Sequence, residues 1–332
     1  MNADIKEKEV KLNTIYLAGG CFWGMERLTQ VIKGVVTTTC GYANGKSENL
    51  ANYQDVCTGK TGFKETVKVD YDPSVVSLHT LLFAFFKVID PTLIDRQGND
   101  IGPQYQSGIY YVDEASKAIV DDVVAVEKKR VKKFNVEIQP LTNFYEAEQY
   151  HQDYLLKNPK GYCHINLKEI QEAANILIDA GRYQRPNEEM IKQKLTQQQF
   201  HITQDKKTEP PFSSAYHSEK GQGIYVDIVT GEPLFSSLDK YISSCGWPSF
   251  SKPIDPNVIN EADDNSLFLQ KRTEVLSRTG NSHLGHVFDN DPESPNGIRY
   301  CINGGALRFI PIDQMDEEGY GYLLSLFNEG KE

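Results

Sequence analysis

Residues 14–32 read TIYLAGGCFWGMERLTQVI and join two hydrophobic patterns through a pair of glycines. Residues 14–17 have the apolar character of a short strand, whereas residues 24–32 carry apolar side chains at helical spacing. Gly19 and Gly20 allow the chain to turn tightly between the two segments. The stretch therefore predicts a strand, a turn and a helix, with Cys21 at the point where the helix begins.

Strands and helices continue to alternate through the first half of the chain. We expect strands at residues 67–69 and 109–112 and a helix over residues 78–88. Asp113 is a suitable N-cap for a further helix. One face of that helix would carry Ala115, Ile119, Val123 and Val126. Such alternation is typical of an α/β two-layer sandwich.

The pattern changes in the second half. After Phe200, short apolar runs are separated by Gly, Pro, Asn and Asp, which favours a mainly antiparallel β domain. These runs are residues 224–229, 275–276, 287–288 and 307–310. The segment before them, residues 167–194, is helical in pattern but polar, which predicts a helical linker. The predicted fold class is α+β multidomain, with an α/β sandwich followed by a β domain.

The length, net charge and apolar stretches of the chain limit the classes of protein to which it can belong. A chain of 332 residues exceeds the size at which one core usually keeps growing, so we expect two domains. A formal net charge of −11 argues against nucleic-acid partners, which need a clustered basic surface. The longest apolar stretches, such as residues 81–86, are too short to span a bilayer.

The N-terminus predicts a location. Residues 1–11 are charged and contain no apolar segment of the signal-peptide type, so we expect a cytoplasmic protein. A chain from which a leader had been removed would look the same, and a periplasmic or cell-surface location is the alternative.

The chain contains six cysteines, none of them in a CxxC pair: Cys21, Cys40, Cys57, Cys163, Cys245 and Cys301. A thioredoxin-type site and a four-cysteine zinc site therefore lack their usual spacing. The cysteines are also too sparse for a disulfide-stapled scaffold. Buried structural thiols are the simplest alternative, which we accept for Cys40.

Cys21 has surroundings that favour reactivity. The unpaired N–H groups at a helix N-terminus favour an anion, so we expect the pKa of its thiol to be lowered below about 8.5. Phe22 and Trp23 offer an apolar wall beside such a nucleophile. The alternative is a structural cysteine between a strand and a helix.

These residues resemble the A-type methionine sulfoxide reductases, and the resemblance extends over residues 13–165. It rests on four ordered blocks: Gly20–Gly24, Tyr53–Glu65, Gln97–Tyr105 and Asn158–Cys163. The resemblance implies an enzyme that reduces methionine sulfoxide through a cysteine nucleophile.

The same resemblance implies a role for each matching residue of this first site. Cys21 would attack the sulfoxide sulfur and become a sulfenic acid, which Cys163 would convert to a disulfide. Glu65 would donate a proton to the sulfoxide oxygen, for which burial must raise its pKa. Tyr53 and Tyr105 would hydrogen-bond that oxygen. The remaining expectations are that Asp100 orients the site, that Phe22 and Trp23 contact substrate, and that Cys57 is a packing residue.

Cys301 is the second candidate nucleophile, flanked by Arg299 and preceded by His283 and His286. Positive charge and nearby donors would activate its thiolate. The alternative is a metal site made from both histidines, Cys301 and Cys245, whose ligand types are acceptable. Residues three apart on a regular strand face opposite sides, so either use needs a bend, which Gly285 permits.

Residues 195–311 resemble the B-type methionine sulfoxide reductases. The resemblance rests on residues 231–235, 245–250, 283–288 and 299–303. It implies that Cys301 is the nucleophile and Cys245 the resolving thiol. It further implies that Trp247 contacts the substrate methyl group, that Arg299 stabilises the thiolate, and that the sulfoxide oxygen is bound by His283, His286 and Asn303.

Many B-type members hold a structural zinc through two CxxC pairs. The corresponding positions here are Asp227, Thr230, Ser277 and Gly280, so the resemblance implies a zinc-free domain and no metal or other cofactor.

The two resemblances together imply a fused enzyme that reduces both epimers of methionine sulfoxide, one in each domain. Oxidised proteins, peptides or free methionine sulfoxide would be its substrates, and thioredoxin or a similar dithiol its reductant. The expected domains are residues 13–166 and 195–318, with the linker at 167–194 and a tail at 319–332. A thiol peroxidase and a non-enzymatic redox sensor or zinc adapter are the alternatives.

Overall fold

A computed structural model describes residues 11–264 and 272–328 of the chain. The chain divides into two compact units, Met1–Gly181 and Arg182–Glu332. Eight α-helices lie within the described ranges: α1 (Phe22–Gln30), α2 (Tyr53–Val56), α3 (Leu78–Val88), α4 (Glu114–Glu127), α5 (Tyr154–Lys157), α6 (Leu167–Ala174), α7 (Glu188–Lys194) and α8 (Gln197–Thr203).

Short 3-10 turns connect many of these elements. They are Glu48–Leu50, Pro103–Tyr105, Ala180–Arg182, Ala215–His217, Ser237–Asp239, Pro256–Val258, Gly304–Ala306, Ile312–Gln314 and Gly321–Phe327.

The strands of the first unit are β1 (Asn13–Ala18), β2 (Val35–Ala43), β3 (Lys64–Tyr71), β4 (Arg96–Gln97), β5 (Asp100–Ile101), β6 (Gly108–Tyr111), β7 (Glu137–Pro140) and β8 (Phe144–Glu146). Six of them form one sheet in the order β7-β6-β1-β3-β2-β8, and β4 pairs with β5 separately. Within the sheet, β6 and β7 are parallel, whereas the other neighbouring strands are antiparallel.

The central strand β1 shows how the sheet separates its two faces. Ile15 and Leu17 are buried in the main core of the unit. Tyr16 and Ala18 point to the opposite face and belong to a second small cluster. Because side chains alternate along a strand, this six-residue segment contributes to both layers.

The predicted helices of the first unit are present. Helix α3 occupies residues 78–88 as predicted, and Asp113 caps α4 through reciprocal hydrogen bonds with Ser116. One detail was wrong, because Ala115 is exposed at the first turn and Val120 and Val124 are buried instead.

The strands of the second unit are β9 (Gly223–Asp227), β10 (Pro233–Ser236), β11 (Lys240–Tyr241), β12 (Ser249–Phe250), β13 (Ile259–Asp264), β14 (Arg272–Ser277), β15 (His283–Phe288), β16 (Arg299–Ile302) and β17 (Leu307–Pro311). They form two sheets, ordered β10-β9-β17 and β11-β12-β16-β15-β14-β13, with antiparallel neighbours throughout. The predicted fold class, an α/β unit followed by a mainly antiparallel β unit, is confirmed.

Residues 167–194, for which we expect a helical linker, contain α6 and α7 with a largely non-helical stretch between them, and they divide between the units. Ile170 of α6 is part of the core of the first unit. Ile191 of α7 packs with Leu195 and Val229 in the second unit. The domain boundaries given above stay a prediction. Within the described ranges, no helix has the length and apolar character needed to cross a membrane.

Candidate active sites

Cys21 is the N-cap of α1, directly after the turn that ends β1. Gly20 has a φ of +81°, and a Cβ there would lie 2.7 Å from Cβ of Gln97. Both the backbone conformation and the close approach therefore require glycine. The turn places the Cys21 thiol in a buried position, 7% exposed.

Glu65 lies beneath the start of α1 because β3 pairs with both β1 and β2. Its Oε2 accepts a hydrogen bond of 3.1 Å from the N–H of Phe22, and the side chain is 2% exposed. Burial raises the pKa of Glu65 to about 8, the charge of Asp100 adds to the shift, and the Phe22 N–H opposes it. At neutral pH the carboxyl therefore holds a proton.

The pKa of the Cys21 thiol is raised, which contradicts the lowering that we expect from a helix N-terminus. Burial is the largest cause, and the charge of Glu65 is the next. The N–H of Trp23 favours the thiolate but is outweighed. Desolvation wins because one backbone donor does not replace the water that a thiolate loses. The site accordingly contains a neutral thiol beside a neutral carboxylic acid.

Two tyrosines border the same site. Tyr53 begins α2, and its N–H donates to Oε1 of Glu148 over 2.9 Å. Burial raises the pKa of Tyr53 and of Tyr105, and the charges of Glu65 and Cys21 contribute at both residues. Both hydroxyls therefore stay protonated and can donate hydrogen bonds.

Of the two aromatic side chains after Cys21, only Trp23 is partly exposed. Its ring stacks on Tyr154 at a centroid distance of 3.8 Å and an interplanar angle of 14°. The indole N–H donates to Nδ1 of His151 over 3.2 Å. Phe22, by contrast, is 1% exposed and belongs to the core. Sequence inspection missed His151 and Tyr154, which no pattern connects to Cys21.

Cys163 comes to α1 from a distant segment. Its Sγ lies 3.2 Å from the position of a Cβ on Gly24, one helical turn from Cys21. The two cysteines are free thiols and interact electrostatically. Cys57, in contrast, is exposed at the end of α2, so its interpretation as a packing residue was wrong.

In the second unit, cross-strand register aligns the candidate residues. Cys301 of β16 lies opposite Ser249 of β12 on one side and His286 of β15 on the other. His286 lies opposite Glu274 of β14. Directly opposed residues point to the same sheet face, so these four side chains form one row.

A bulge brings His283 to that row. The pairing of β14 with β15 shifts register between Val275 and Leu276, and the His283 and His286 rings are 5.5 Å apart. Gly285 has a φ of +157° within this bulge. A Cβ there would lie 2.1 Å from the Cys301 carbonyl oxygen, so only glycine fits.

Cys245 and Cys301 are in contact, with their Sγ atoms 3.7 Å apart. The pKa of Cys245 is lowered to about 4, first because the Cys301 thiol hydrogen-bonds to it and then through Ser243 and Ser249. The pKa of Cys301 is raised by that same bond and by burial, while Arg299 lowers it. The two thiols therefore titrate as a coupled pair, which holds one proton and one negative charge between its two sulfurs.

The two histidines are each fixed by a carboxylate. Nδ1 of His283 is 2.7 Å from Oε1 of Glu274, and Nε2 of His286 is 2.8 Å from Oδ2 of Asp264. Nε2 of His283 is buried and has no hydrogen-bond partner among the residues that the structure describes. A fixed ring with one unused nitrogen suits proton transfer.

Hydrogen bonds to the backbone of Glu209 position the side chains of Asn303 and Trp247. The Asn303 amide donates to the Leu284 carbonyl over 3.0 Å and accepts from the Glu209 N–H over 3.1 Å. The Trp247 indole N–H donates to the Glu209 carbonyl over 3.0 Å. The buried Glu209 carboxylate in turn accepts from the N–H groups of Gly304 and Gly305. Sequence inspection gave no sign of this residue.

The four positions for which the resemblance implies lost zinc ligands, Asp227, Thr230, Ser277 and Gly280, lie together around Asp227. Its buried Oδ2 accepts hydrogen bonds from the hydroxyls of Ser277 (2.8 Å), Thr230 (3.1 Å) and Ser282 (3.3 Å). Zinc sites of this class need thiolate or imidazole ligands, and one carboxylate among hydroxyls does not fit. Over residues 11–264 and 272–328, no cluster of three or more His, Cys, Asp or Glu suits a metal ion.

Two family models match the chain. The model described as peptide methionine sulfoxide reductase matches residues 13–179, and the SelR domain matches residues 195–311.

Similar solved structures cover the first half of the chain. Mxr1 from Saccharomyces cerevisiae in reduced form is 38% identical, with 50% of this chain and 98% of that chain covered and a TM-score of 0.45. Methionine sulfoxide reductase A of Corynebacterium diphtheriae is 38% identical, with 46% and 77% covered and a TM-score of 0.41. Mxr1 in complex with Trx2 is 27% identical, with 46% and 92% covered and a TM-score of 0.31.

Proposed function

Because the chain belongs to the peptide methionine sulfoxide reductase family and continues into a SelR domain, it is a fused A-type and B-type methionine sulfoxide reductase, and we propose that two separate thiol cycles carry its activity. Cys21 begins the cycle for the S epimer, and Cys301 begins the cycle for the R epimer. The proposal depends on one observation above all. A second cysteine from a distant segment lies near each candidate nucleophile: Cys163 lies beside Gly24, one helical turn from Cys21, and Cys245 contacts Cys301.

In the first cycle, Glu65 gives its proton to the sulfoxide oxygen while Cys21 attacks the sulfur. The Cys21 thiol proton passes to the Glu65 carboxylate, so the acid is restored. The hydroxyl then transfers from the substrate sulfur to the Cys21 sulfur. The substrate sulfur–oxygen bond and the transient sulfur–sulfur bond both break, methionine leaves, and Cys21 becomes a sulfenic acid. The raised pKa of both groups favours this coupled transfer, because neither charge is stable in the buried site before substrate arrives.

The remaining residues of the first site would bind the substrate. Tyr53 and Tyr105 donate hydrogen bonds to the sulfoxide oxygen, Asp100 orients the site, and Trp23 contacts the methyl group. Cys163 then attacks the sulfenic acid, which releases water and forms the Cys21–Cys163 disulfide.

In the second cycle, exchange of the shared proton between the two sulfurs must leave it on Cys245, so that Cys301 attacks as the thiolate. The short contact between the sulfurs and the guanidinium of Arg299 favours that exchange. Cys301 then attacks the sulfur while a proton passes through His283 or His286 to the sulfoxide oxygen, and Trp247 contacts the methyl group. The hydroxyl transfers to Cys301, methionine leaves, and Cys301 becomes a sulfenic acid. Cys245 attacks this sulfenic acid, which releases water and forms the Cys245–Cys301 disulfide.

Each disulfide must be reduced before the next turnover, and thioredoxin or a related dithiol protein is the reductant that we propose. Its first thiolate attacks one sulfur of the disulfide, and its second thiol releases the mixed disulfide. Oxidised methionine in proteins or peptides is the substrate that fits a repair role.

Stereospecific turnover of two single variants tests the proposal, with dithiothreitol as the reductant. We expect Cys21→Ser to lower kcat/KM for the S epimer by about 1,000-fold or more and to leave the R epimer within about twofold. Cys301→Ser should do the reverse, so each variant is the control for the other. If either variant lowers both activities alike, the two cycles are not separate.

A further inference from the structure

His164, directly after the proposed resolving cysteine, is a buried histidine that the reaction described so far does not use. Its side chain is 3% exposed. Nε2 lies 2.9 Å from the Gly19 carbonyl oxygen. Because a carbonyl only accepts hydrogen bonds, Nε2 must carry a hydrogen, and Nδ1 of the neutral ring is then an unprotonated acceptor.

Nδ1 of His164 faces Oδ2 of Asp100 at 3.7 Å, which is too long for a hydrogen bond. Both atoms are buried, and neither has a hydrogen-bond partner among the residues that the structure describes. Two buried acceptors that face each other with no proton between them cost free energy, because neither forms a hydrogen bond. One additional proton on Nδ1 would turn the facing pair into an imidazolium beside a carboxylate, and these two charges attract each other.

The imidazole and the Cys163 thiol converge on one point of α1. From the position of a Cβ on Gly24, Sγ of Cys163 and Nδ1 of His164 are each 3.2 Å away. The ring also lies 3.2 Å from the position of a Cβ on Gly20, so it packs against both Gly20 and Gly24. A side chain larger than glycine at either position would displace it.

We propose that His164 accepts the proton of the Cys163 thiol when Cys163 attacks the sulfenic acid on Cys21, and that Asp100 stabilises the resulting imidazolium. This inference rests on the proposed function of the first unit. The sulfur–sulfur bond forms as the bond between Cys21 sulfur and its hydroxyl breaks. The proton returns from Nδ1 to the leaving hydroxide, so water is released and His164 is neutral again. No external oxidant or reductant takes part in this step.

Single-turnover kinetics test the proposal, on the full chain in a Cys301→Ser background with the S epimer and no reductant. Methionine release, together with loss of one free thiol, reports the attack by Cys21, and loss of a second free thiol reports the disulfide. We expect His164→Gln to release methionine at the parent rate but to form the disulfide about tenfold or more slowly. A cyclic dione should then trap the sulfenic acid on Cys21. Asp100→Asn should slow the same step less.

His79→Gln is the matched control, because His79 is also buried with an unpartnered Nε2 but lies on α3, outside the site. It should leave both rates unchanged, and thermal unfolding of each variant shows whether it is folded.

The pH profile separates proton transfer from a merely structural role. In the parent, disulfide formation should slow as the pH falls through the pKa of His164, which burial lowers from its usual range. The His164→Gln profile should lack this limb. The other titratable groups around the site with a shifted pKa all have raised values and titrate above His164: Glu65, Cys21, Cys163, Tyr53, Tyr105 and Tyr162.

Two results would overturn the proposal: an unchanged rate of disulfide formation in His164→Gln, or an equal loss in both steps. If the parent releases no methionine from the S epimer, the proposed function of the first unit fails, and this inference fails with it.

Discussion

The two thiol sites differ in their charge before substrate binds, although we propose the same type of reaction for both. In the first unit, burial and Glu65 raise the pKa of Cys21, so the free site is neutral. In the second unit, Cys245 and Cys301 lie 3.7 Å apart near Arg299, and the pKa of Cys245 falls to about 4. In this protein, a neighbouring thiol and a guanidinium therefore favour a thiolate more strongly than the N-terminus of a helix does.

The sites also differ in how the chain builds them. The first depends on a local strand–turn–helix unit, to which β3 and the Cys163 segment add single side chains. The second depends on register across four strands, corrected by one bulge at Gly285. A site built from neighbouring residues can be recognised in one stretch of sequence. Strand register depends on how two distant segments pair, so it cannot be read from either segment alone.

The largest effect should come from removing the buried acid of the first site. We expect Glu65→Gln to lower kcat for the S epimer by about 100-fold to 10,000-fold, because the sulfoxide oxygen loses its proton donor. In the parent, kcat should fall as the pH rises through about 8, where the carboxylic acid is lost, and the variant should not show that fall. Its turnover of the R epimer is the internal control. A variant with the parent pH profile would remove Glu65 from the mechanism.

A smaller effect should distinguish the thiols themselves. At a pH of about 6, iodoacetamide should alkylate the Cys245–Cys301 pair about tenfold or more faster than Cys21. The reason is that the pair already carries a thiolate, whereas the Cys21 thiol is protonated. Mass spectrometry of digested peptides measures both rates in one sample. Equal rates would mean that the two sites do not differ in charge.

The smallest effect concerns stability alone. We expect Asp227→Ala to lower the free energy of unfolding of the second unit by about 1–3 kcal/mol, because the buried hydroxyls of Ser277 and Ser282 and the half-buried hydroxyl of Thr230 lose their shared acceptor. Turnover of the S epimer should stay unchanged. Calorimetry measures the loss, and elemental analysis of the purified chain checks the metal. Stoichiometric zinc together with an unchanged transition would contradict a hydrogen-bonded replacement for the metal.

Sequence patterns predicted the parts of the fold that are local. The strand, turn and helix around Cys21, helix α3 and the Asp113 cap are each encoded within a few residues. Strand β2 was missed, because Val-Val-Thr-Thr-Thr at residues 35–39 shows no alternation of apolar and polar side chains.

The candidate site was less visible, because its chemistry depends on distant segments. The positions of Glu65 and Cys163 follow from strand order and loop path, and only the resemblance to a family indicated them. His164 follows Cys163 directly, but no pattern shows that its ring returns to Gly19 and Gly24. The pKa of Cys21 was predicted in the wrong direction, because burial is a tertiary property that outweighs the helix terminus.

Disulfide mapping after reaction without reductant tests the central claim most directly. The reduced chain is exposed to each pure epimer in turn, the remaining thiols are alkylated, and the peptides are identified by mass spectrometry. The account predicts a Cys21–Cys163 disulfide with the S epimer and a Cys245–Cys301 disulfide with the R epimer, each with one methionine released per chain. A disulfide that joins the two pairs, or the same disulfide with both epimers, would contradict it.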